Sequence, residues 1–389
     1  MGAPGKRKGD LSFSSSLNLL AYRLVFGMLA RWRPPRGARI DLRAGSRVLV
    51  FSTAGLGDSL LDSAGVRALA EGIPGVHIEA VIHHRRRDIA QHNPYFQELH
   101  DLRKGPFSFV RLWRKLRARG PWDAVLYLSC HDPEARCLGY LLARDASIGL
   151  EWRTKMPWLC ARNLSEDGLR KAHLAVQAVR VAREAGAPGT GARMVYEVSD
   201  ADRKALDARL ARLGFAGAGA IVFQLGGGGG AFRDWPVAHF VELARLATAS
   251  GVGPIILLGG PDHREKAALF ARAAGGIPFH DAVGKLALPL SAALIERARC
   301  LVSTDTGIMH LAFALGTPTV ALLHPTPGPG RVGPTFGADR HVVLALPRPE
   351  GYRSPRDVSM SSLSAQQVFE GLQACLAKSD GRALAEGCP

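Results

Sequence analysis

The 389-residue chain is short of cysteine, of acid relative to base, and of long apolar runs. Its six cysteines, at 130, 137, 160, 300, 375 and 388, never form a Cys-x-x-Cys pair. That argues against a zinc knuckle or a thioredoxin-like redox centre. Thiols so scattered read as reduced side chains, as expected in the cytosol. Asp and Glu number 34 against 50 Lys and Arg, a net charge of +16. Such an excess favours anionic partners: nucleic acid, an anionic membrane or a phosphorylated substrate. No nucleic-acid-binding motif accompanies the charge, so no nucleic-acid partner is expected. Hydrophobic residues at 47% and charged residues at 22% exclude wholesale disorder, and the length suits two domains.

The N-terminal segment needs separate treatment. Lys6-Arg7-Lys8 precedes an apolar stretch from Leu17 to Ala30, as in a signal peptide. Arg23 interrupts the stretch, no small-x-small cleavage site follows, and the run is well short of the ~20 residues of a membrane span. Leu17, Leu20, Leu24 and Met28 share one helical face, extended by Ala21, Val25 and Leu29, and a series of arginines follows. The segment reads as a helix packed on the protein's own core, as an amphipathic helix on an anionic bilayer or, least in keeping with these features, as a cleaved signal.

From Ser46 the pattern alternates between strand and helix. Strands are expected at 47–51, 76–82, 122–128, 220–223, 254–258, 300–303 and 319–323. Helices are expected at 58–71, 133–144, 169–184, 236–250, from about 261, at 307–315 and at 364–378. Alternation of this kind means parallel sheets covered on both faces. The chain therefore divides into a basic segment (1–45), two Rossmann-like doubly wound α/β units (46–205 and 215–360), and a C-terminal helix and tail (361–389). Two such units facing each other make a cleft, with ligands beyond the carboxyl ends of the strands.

Three segments stand at such strand ends. The first is Ser52-Thr-Ala-Gly-Leu-Gly-Asp58, where Gly55 and Gly57 permit a tight turn and Asp58 stands at a helix start. Asp58 is either an N-cap or a reactive carboxylate. This Gly-x-Gly-Asp is not a full Gly-x-Gly-x-x-Gly, and no ribose-binding acid closes the second strand, so a nicotinamide site is weakly supported. The second segment runs from Gly226 through Gly227 and Gly228 to Gly230, with Arg233 close behind. It is either a loose loop or a nest of backbone donors for a diphosphate. No Gly-Lys-Ser/Thr follows, which excludes an NTPase P-loop.

The third segment is the most specific: Ser303-Thr-Asp305-Thr306-Gly307-Ile-Met-His310-Leu-Ala-Phe-Ala-Leu-Gly-Thr-Pro318. Amides at a helix start face an anion, and His310 lies one turn on from Thr306. His310 is either a packed polar residue or a ligand contact.

Asp305 to Pro318 resembles the signature of glycosyltransferase family 9, the heptosyltransferases of lipopolysaccharide core synthesis. Gly57-Asp58, Arg233-Asp-Trp-Pro236 and Leu258-Gly-Gly-Pro261 are similar to further family motifs. The resemblance implies a GT-B fold, with two Rossmann-like domains facing across a cleft, and an inverting, metal-independent transferase. It implies Asp58 as general base, and donor contacts from Asp305, Thr306, Gly307, His310 and Arg233, the last replacing a lysine. It implies no cofactor, a nucleotide-sugar co-substrate such as ADP-heptose, and an anionic lipid-linked saccharide acceptor. The expected location is the cytoplasmic face of the bacterial inner membrane. No Asp-x-Asp pair is placed to hold a metal. The chain departs from the family at the glycine run and at His324-Pro-Thr326, where Gly-Pro-Thr is usual.

The 103–119 segment carries seven Lys and Arg and no acid, interleaved with Phe107, Phe109 and Trp113. Arg111, Arg114 and Lys115, with Gly55 and Gly57, are candidates to hold acceptor phosphates. An ordinary basic helix face is the alternative. A non-catalytic nucleotide-sugar or lipid-saccharide binder on the same fold is the competing functional reading.

Overall fold

Apolar runs bounded by glycine turns assemble into two parallel sheets of six strands each. The computed structural model describes residues 13–189, 191–215, 219–226 and 230–386. Lys6-Arg7-Lys8, Gly227 and Gly228 lie outside the described residues. The first sheet contains β1 (Arg47–Ser52), β2 (His77–His83), β3 (Glu98–Leu102), β4 (Ala124–Tyr127), β5 (Ser147–Leu150) and β6 (Arg162–Leu164), in the order β3-β2-β1-β4-β5-β6. The second contains β7 (Ile221–Gln224), β8 (Ile255–Leu258), β9 (His280–Asp281), β10 (Cys300–Thr304), β11 (Thr319–Leu323) and β12 (His341–Ala345), in the order β12-β11-β10-β7-β8-β9. Read from β9, the second sheet repeats the first. Both have the 3-2-1-4-5-6 order of a dinucleotide-binding fold, whose switch point lies between strands 1 and 4.

The helices of the first half are α1 (Phe13–Trp32), α2 (Leu56–Gly72), α3 (Arg87–Ala90), α4 (Pro106–Arg119), α5 (Pro133–Ala143), α6 (Asp167–Lys171), α7 (Leu174–Glu184) and α8 (Asp200–Leu213). Those of the second half are α9 (Val237–Ala249), α10 (Arg264–Ala273), α11 (Leu288–Glu296), α12 (Gly307–Leu315), α13 (Pro329–Val332) and α14 (Ala365–Glu386). Side-chain alternation along β1 sends Val48 and Val50 to one apolar core and Leu49 and Phe51 to another. The first core is shared with α2 and α7, the second with α4 and α5. The α2–α7 core continues without a break into α11, α12 and one face of the second sheet, so the two halves meet through a shared apolar layer.

Two expectations need correction. The single helix expected at 169–184 is two, α6 and α7. His173 breaks it: the ring Nδ1 accepts the Ala175 amide at 3.1 Å and caps α7. In α1, the face marked by Leu20, Leu24 and Met28 points outward, while Tyr22 and Phe26 face the protein. Phe26 is held between Phe109 and Tyr140, with ring centroids 6.3 and 6.1 Å away. No helix among the described residues is long and apolar enough to cross a membrane.

At the carboxyl ends of β4 and β5, two glycines make room for a buried ring–guanidinium pair. Arg136, fully buried, lies over Tyr127 at 3.9 Å from the ring centroid. A Cβ on Gly149 would sit 2.8 Å from both terminal guanidinium nitrogens, and one on Gly139 would sit 1.8 Å from the Tyr127 hydroxyl.

Candidate active site between the two sheets

Both switch points open onto one cleft. On the first sheet, β1 passes through Thr53 and Ala54 into α2, whose N-cap is Gly55. Asp58 therefore is not the cap residue. It lies in the first turn, and its Oδ2 accepts the Gly55 amide at 3.2 Å. Its other oxygen, Oδ1, faces Arg153 Nη1 at 3.1 Å. About a third of the Asp58 side chain is exposed, so the carboxylate is anchored and still reachable (32%).

One turn deeper, Asp62 ties the switch point together. It accepts hydrogen bonds from Ser52 Oγ at the end of β1 (2.6 Å) and from the Ser129 amide (3.0 Å) and Oγ (2.8 Å) beyond β4. Burial pushes the Asp62 carboxyl up to about 6, against the lowering effect of the Ser52 and Ser129 bonds.

On the second sheet, β7 leads into Gly226 and β10 into Asp305. A Cβ on Gly226 would sit 1.8 Å from His263 Nε2, so only glycine lets that ring lie against the loop. Thr304 Oγ1 donates to the Gly226 carbonyl at 3.4 Å, linking the two strand ends. Arg233 Nη1 reaches Asp305 Oδ2 at 2.9 Å. Thr306 caps α12 by accepting the Met309 amide at 3.2 Å. His310 Nε2 is 3.7 Å from Asp305 Oδ1, and its buried Nδ1 has no hydrogen-bond partner among the described residues. The start of α12, Arg233 and the His310 ring thus stand together around the Asp305 carboxylate.

The two helix starts meet tip to tip. A Cβ on Gly57 would sit 2.8 Å from His310 Cδ2, and one on Gly307 would sit 2.0 Å from Leu56 Cδ2. Both glycines of the sequence motifs are thus required for the approach of one half to the other. Beside this contact, His173 Nε2 donates to the Gly333 carbonyl at 2.9 Å and so ties α7 to α13. The Nδ1 atom is already an acceptor, which fixes the tautomer. Burial lowers the His173 ring to about 4 and keeps it neutral.

The profile for glycosyltransferase family 9 (heptosyltransferase) matches residues 109–353, more than half of the chain. The chain belongs to glycosyltransferase family 9. It is accordingly a glycosyltransferase. Lipopolysaccharide heptosyltransferase 1 of Escherichia coli K12 is 26% identical over 343 residues, which span 84% of this chain and 99% of that protein. The namesake from Pseudomonas aeruginosa PAO1 is 28% identical over 325 residues, spanning 77% and 84%. A family 9 glycosyl transferase from Veillonella parvula superposes with a TM-score of 0.76 at 22% identity, covering 88% of this chain and 100% of that one. E. coli ADP-heptose lps heptosyltransferase II superposes at 0.72 with 20% identity, covering 86% and 99%. The fold is GT-B, as the sequence resemblance implied.

Within this family 9 fold, the structure gathers Gly55, Gly57 and Asp58 on one side of the cleft. Gly226, Arg233, Asp305, Thr306, Gly307 and His310 stand on the other. Arg111, Arg114 and Lys115 lie on α4, and Lys115 pairs with Glu98 of β3 at 2.8 Å. No contact among the described residues joins these three to the Asp58–Arg153 pair. His324 has a structural task. It is buried, its Nδ1 accepts the Thr326 amide at 3.1 Å and its Nε2 meets the Val358 carbonyl at 3.3 Å. Sequence reasoning missed Arg153 and Asp62. Arg153 follows β5 with no motif around it. Asp62 carried one usable signal, an acid among the Leu60, Leu61, Ala64 and Val66 that form the inward face of α2.

Glu79, Glu98 and His100 are close enough to share a cation, but protein cations already fill the space. Buried Glu79 pairs with Arg47 (2.7 Å), His77 (3.0 Å), His100 (2.6 Å) and Arg119 (2.8 Å). Burial pushes the Glu79 carboxyl up, yet bonds from Arg119, His100 and His77 outweigh it and hold it at about 2. The cluster is an ion-pair network under α4.

Proposed function

We propose that this protein transfers heptose from ADP-heptose to a lipopolysaccharide-core or similar membrane-anchored saccharide, with inversion at the anomeric carbon. The observation that carries the reading is the tip-to-tip meeting of α2 and α12. It sets an anchored, reachable carboxylate against the α12 start, Arg233 and His310 at the switch points of two opposed sheets. Solved relatives include E. coli heptosyltransferase WaaC with ADP and with ADP-2-deoxy-2-fluoro heptose, which supports an adenine nucleotide-sugar as donor.

In this reading the 46–205 unit binds the acceptor and the 215–360 unit binds the donor. The acceptor hydroxyl oxygen forms a bond to the anomeric carbon as its proton passes to Asp58. The bond from that carbon to the diphosphate oxygen breaks on the opposite face, and ADP leaves with the electron pair. Arg233, the α12 amides and His310 stabilise the charge that develops on the diphosphate. Arg153 holds the Asp58 carboxylate in place. These groups supply the positive potential without a metal. The acceptor is anionic and lipid-linked, and the enzyme works at the cytoplasmic face of the inner membrane.

The test is ADP release from ADP-heptose in the presence of acceptor, with and without chelator. Asp58→Asn should lower turnover by about 10³-fold while ADP binding stays unchanged. Normal turnover in that variant removes Asp58 from the base role. Loss of turnover on chelation overturns the metal-independent route.

A further inference from the structure

α1 carries apolar side chains on both its inner and outer faces, interrupted by the exposed Arg23 and Arg31. Its inner face, with Tyr22, Phe26 and Ala30, lies in the groove between α4, α5 and the 157–159 turn. Its outer face presents Leu20, Leu24, Val25, Met28, Leu29 and Trp32 to solvent, with Met28 at 62% and Trp32 at 86% exposure. A helix with large apolar side chains on opposite faces ordinarily has both faces covered, by protein or by lipid. This one is held on one side only and is not apolar enough to cross a bilayer.

The neighbouring α4 continues the surface. Phe109 on its inner side contacts Tyr22 and Phe26 of α1. Phe107, 91% exposed, begins an outward stripe with Val110, Arg111 and Arg114 at helical spacing. Neither 13–40 nor 103–119 contains a single Asp or Glu, whereas exposed arginines flank both. A second copy of the chain would set arginine against arginine in any self-complementary contact. An anionic lipid surface matches both the apolar side chains and the sign of the charge.

We propose that α1 and the outward stripe of α4 dock the protein on an anionic bilayer, with α1 lying flat in the headgroup region as a monotopic anchor. The α4 stripe starts at the carboxyl edge of the first sheet, the edge that also carries Asp58. Docking thus brings the acceptor side of the cleft to the membrane, which rests on the membrane-anchored acceptor proposed above.

The experiment is co-sedimentation of the full chain with vesicles of phosphatidylcholine alone and of phosphatidylcholine mixed with phosphatidylglycerol. Tryptophan emission is recorded in parallel. The protein should pellet with the anionic vesicles, with a blue shift that Trp32→Phe diminishes. The double variant Leu24→Glu/Met28→Glu alters only exposed positions and should bind those vesicles about tenfold more weakly. It should still transfer sugar to a delipidated, soluble acceptor. Equal pelleting with both lipids, or unchanged pelleting of the double variant, overturns the docking surface. So does a dimer that the double variant dissociates. Vesicle binding without any sugar transfer by the wild type would instead fault the enzymatic reading and leave the docking intact.

Discussion

The two sheets share one strand order and treat buried charge in opposite ways. Among the described residues, the first half buries Asp62, Glu79, Glu134 and Arg136, while the second buries Asp305 alone of its Asp, Glu, Lys and Arg side chains. In the first half, buried ions hold elements together: Glu79 joins β2 to β1, β3 and α4, and Asp62 joins α2 to the ends of β1 and β4. In the second half the one buried carboxylate stands in the cleft, against Arg233. Topology fixes where a site can lie, but the use made of charge there is decided residue by residue.

The sharpest way to break this contrast is Glu79→Gln. It leaves Arg47 without its carboxylate, Arg119 with Glu98 alone and the two histidines without their carboxylate acceptor, and should lower the unfolding free energy by about 3 kcal/mol in denaturant melts. A loss below ~1 kcal/mol would make the network ornamental and erase the difference between the halves. The wild-type contribution is present above the ordinary carboxylate range and fades as pH falls toward about 2.

Asp62 should show the opposite sign. Its folded-state value of about 6 lies above the ordinary 3.8, so the native state holds the proton more tightly than the unfolded chain does. The stability it gives is present below pH ~4 and is lost as pH rises through about 6, amounting to about 3 kcal/mol. Wild type should therefore lose that much relative to Asp62→Asn across the window, and parallel stability curves would refute the assignment.

A smaller effect sharpens the comparison from the donor side. His310→Ala should weaken ADP binding about tenfold by calorimetry, since it removes one contact to a charged ligand. Unchanged affinity would make His310 a packing residue. Last is His173→Ala, which leaves the donor site alone and deletes both a bond between the halves and the cap of α7. It should cost about 2 kcal/mol of stability without changing the far-ultraviolet spectrum.

Much of this was visible in the order of residues, for a local reason. Central parallel strands are apolar on both faces, so β1, β4, β7, β8, β10 and β11 announce themselves as short runs ending at glycine or a polar residue. The chemistry clusters where those runs stop, which is why Asp58 and the Asp305–His310 segment could be picked out. Other strands lacked that signature. β3 reads Glu-Leu-His-Asp-Leu, β9 is only His280–Asp281, and β12 is half exposed. Pairing with a neighbour, rather than composition, makes them strands. Helix α8 was invisible for a related reason: a polar sequence with only Leu206 and Leu210 buried, held to α11 by Arg203–Glu296 and neighbouring pairs. Arg153 lies 95 residues from Asp58 and meets it only through the folded sheet.

The slot around Arg136 has one more consequence. Surface arginines such as those of α4 sit in water, where dissolved ions damp their reach within about 8–10 Å at ordinary ionic strength. Arg136 is sealed between Tyr127 and the backbone of β5, at the carboxyl end of the first sheet. Its field passes through low-dielectric protein on the way to the cleft and is damped far less. Adding salt should thus weaken the pull of the outer arginines more than that of Arg136, whose field acts together with those of the buried carboxylates Asp62, Glu79 and Glu134. Two glycines, by making room for one ring and one guanidinium, thus keep one positive charge of this half beyond the reach of dissolved ions.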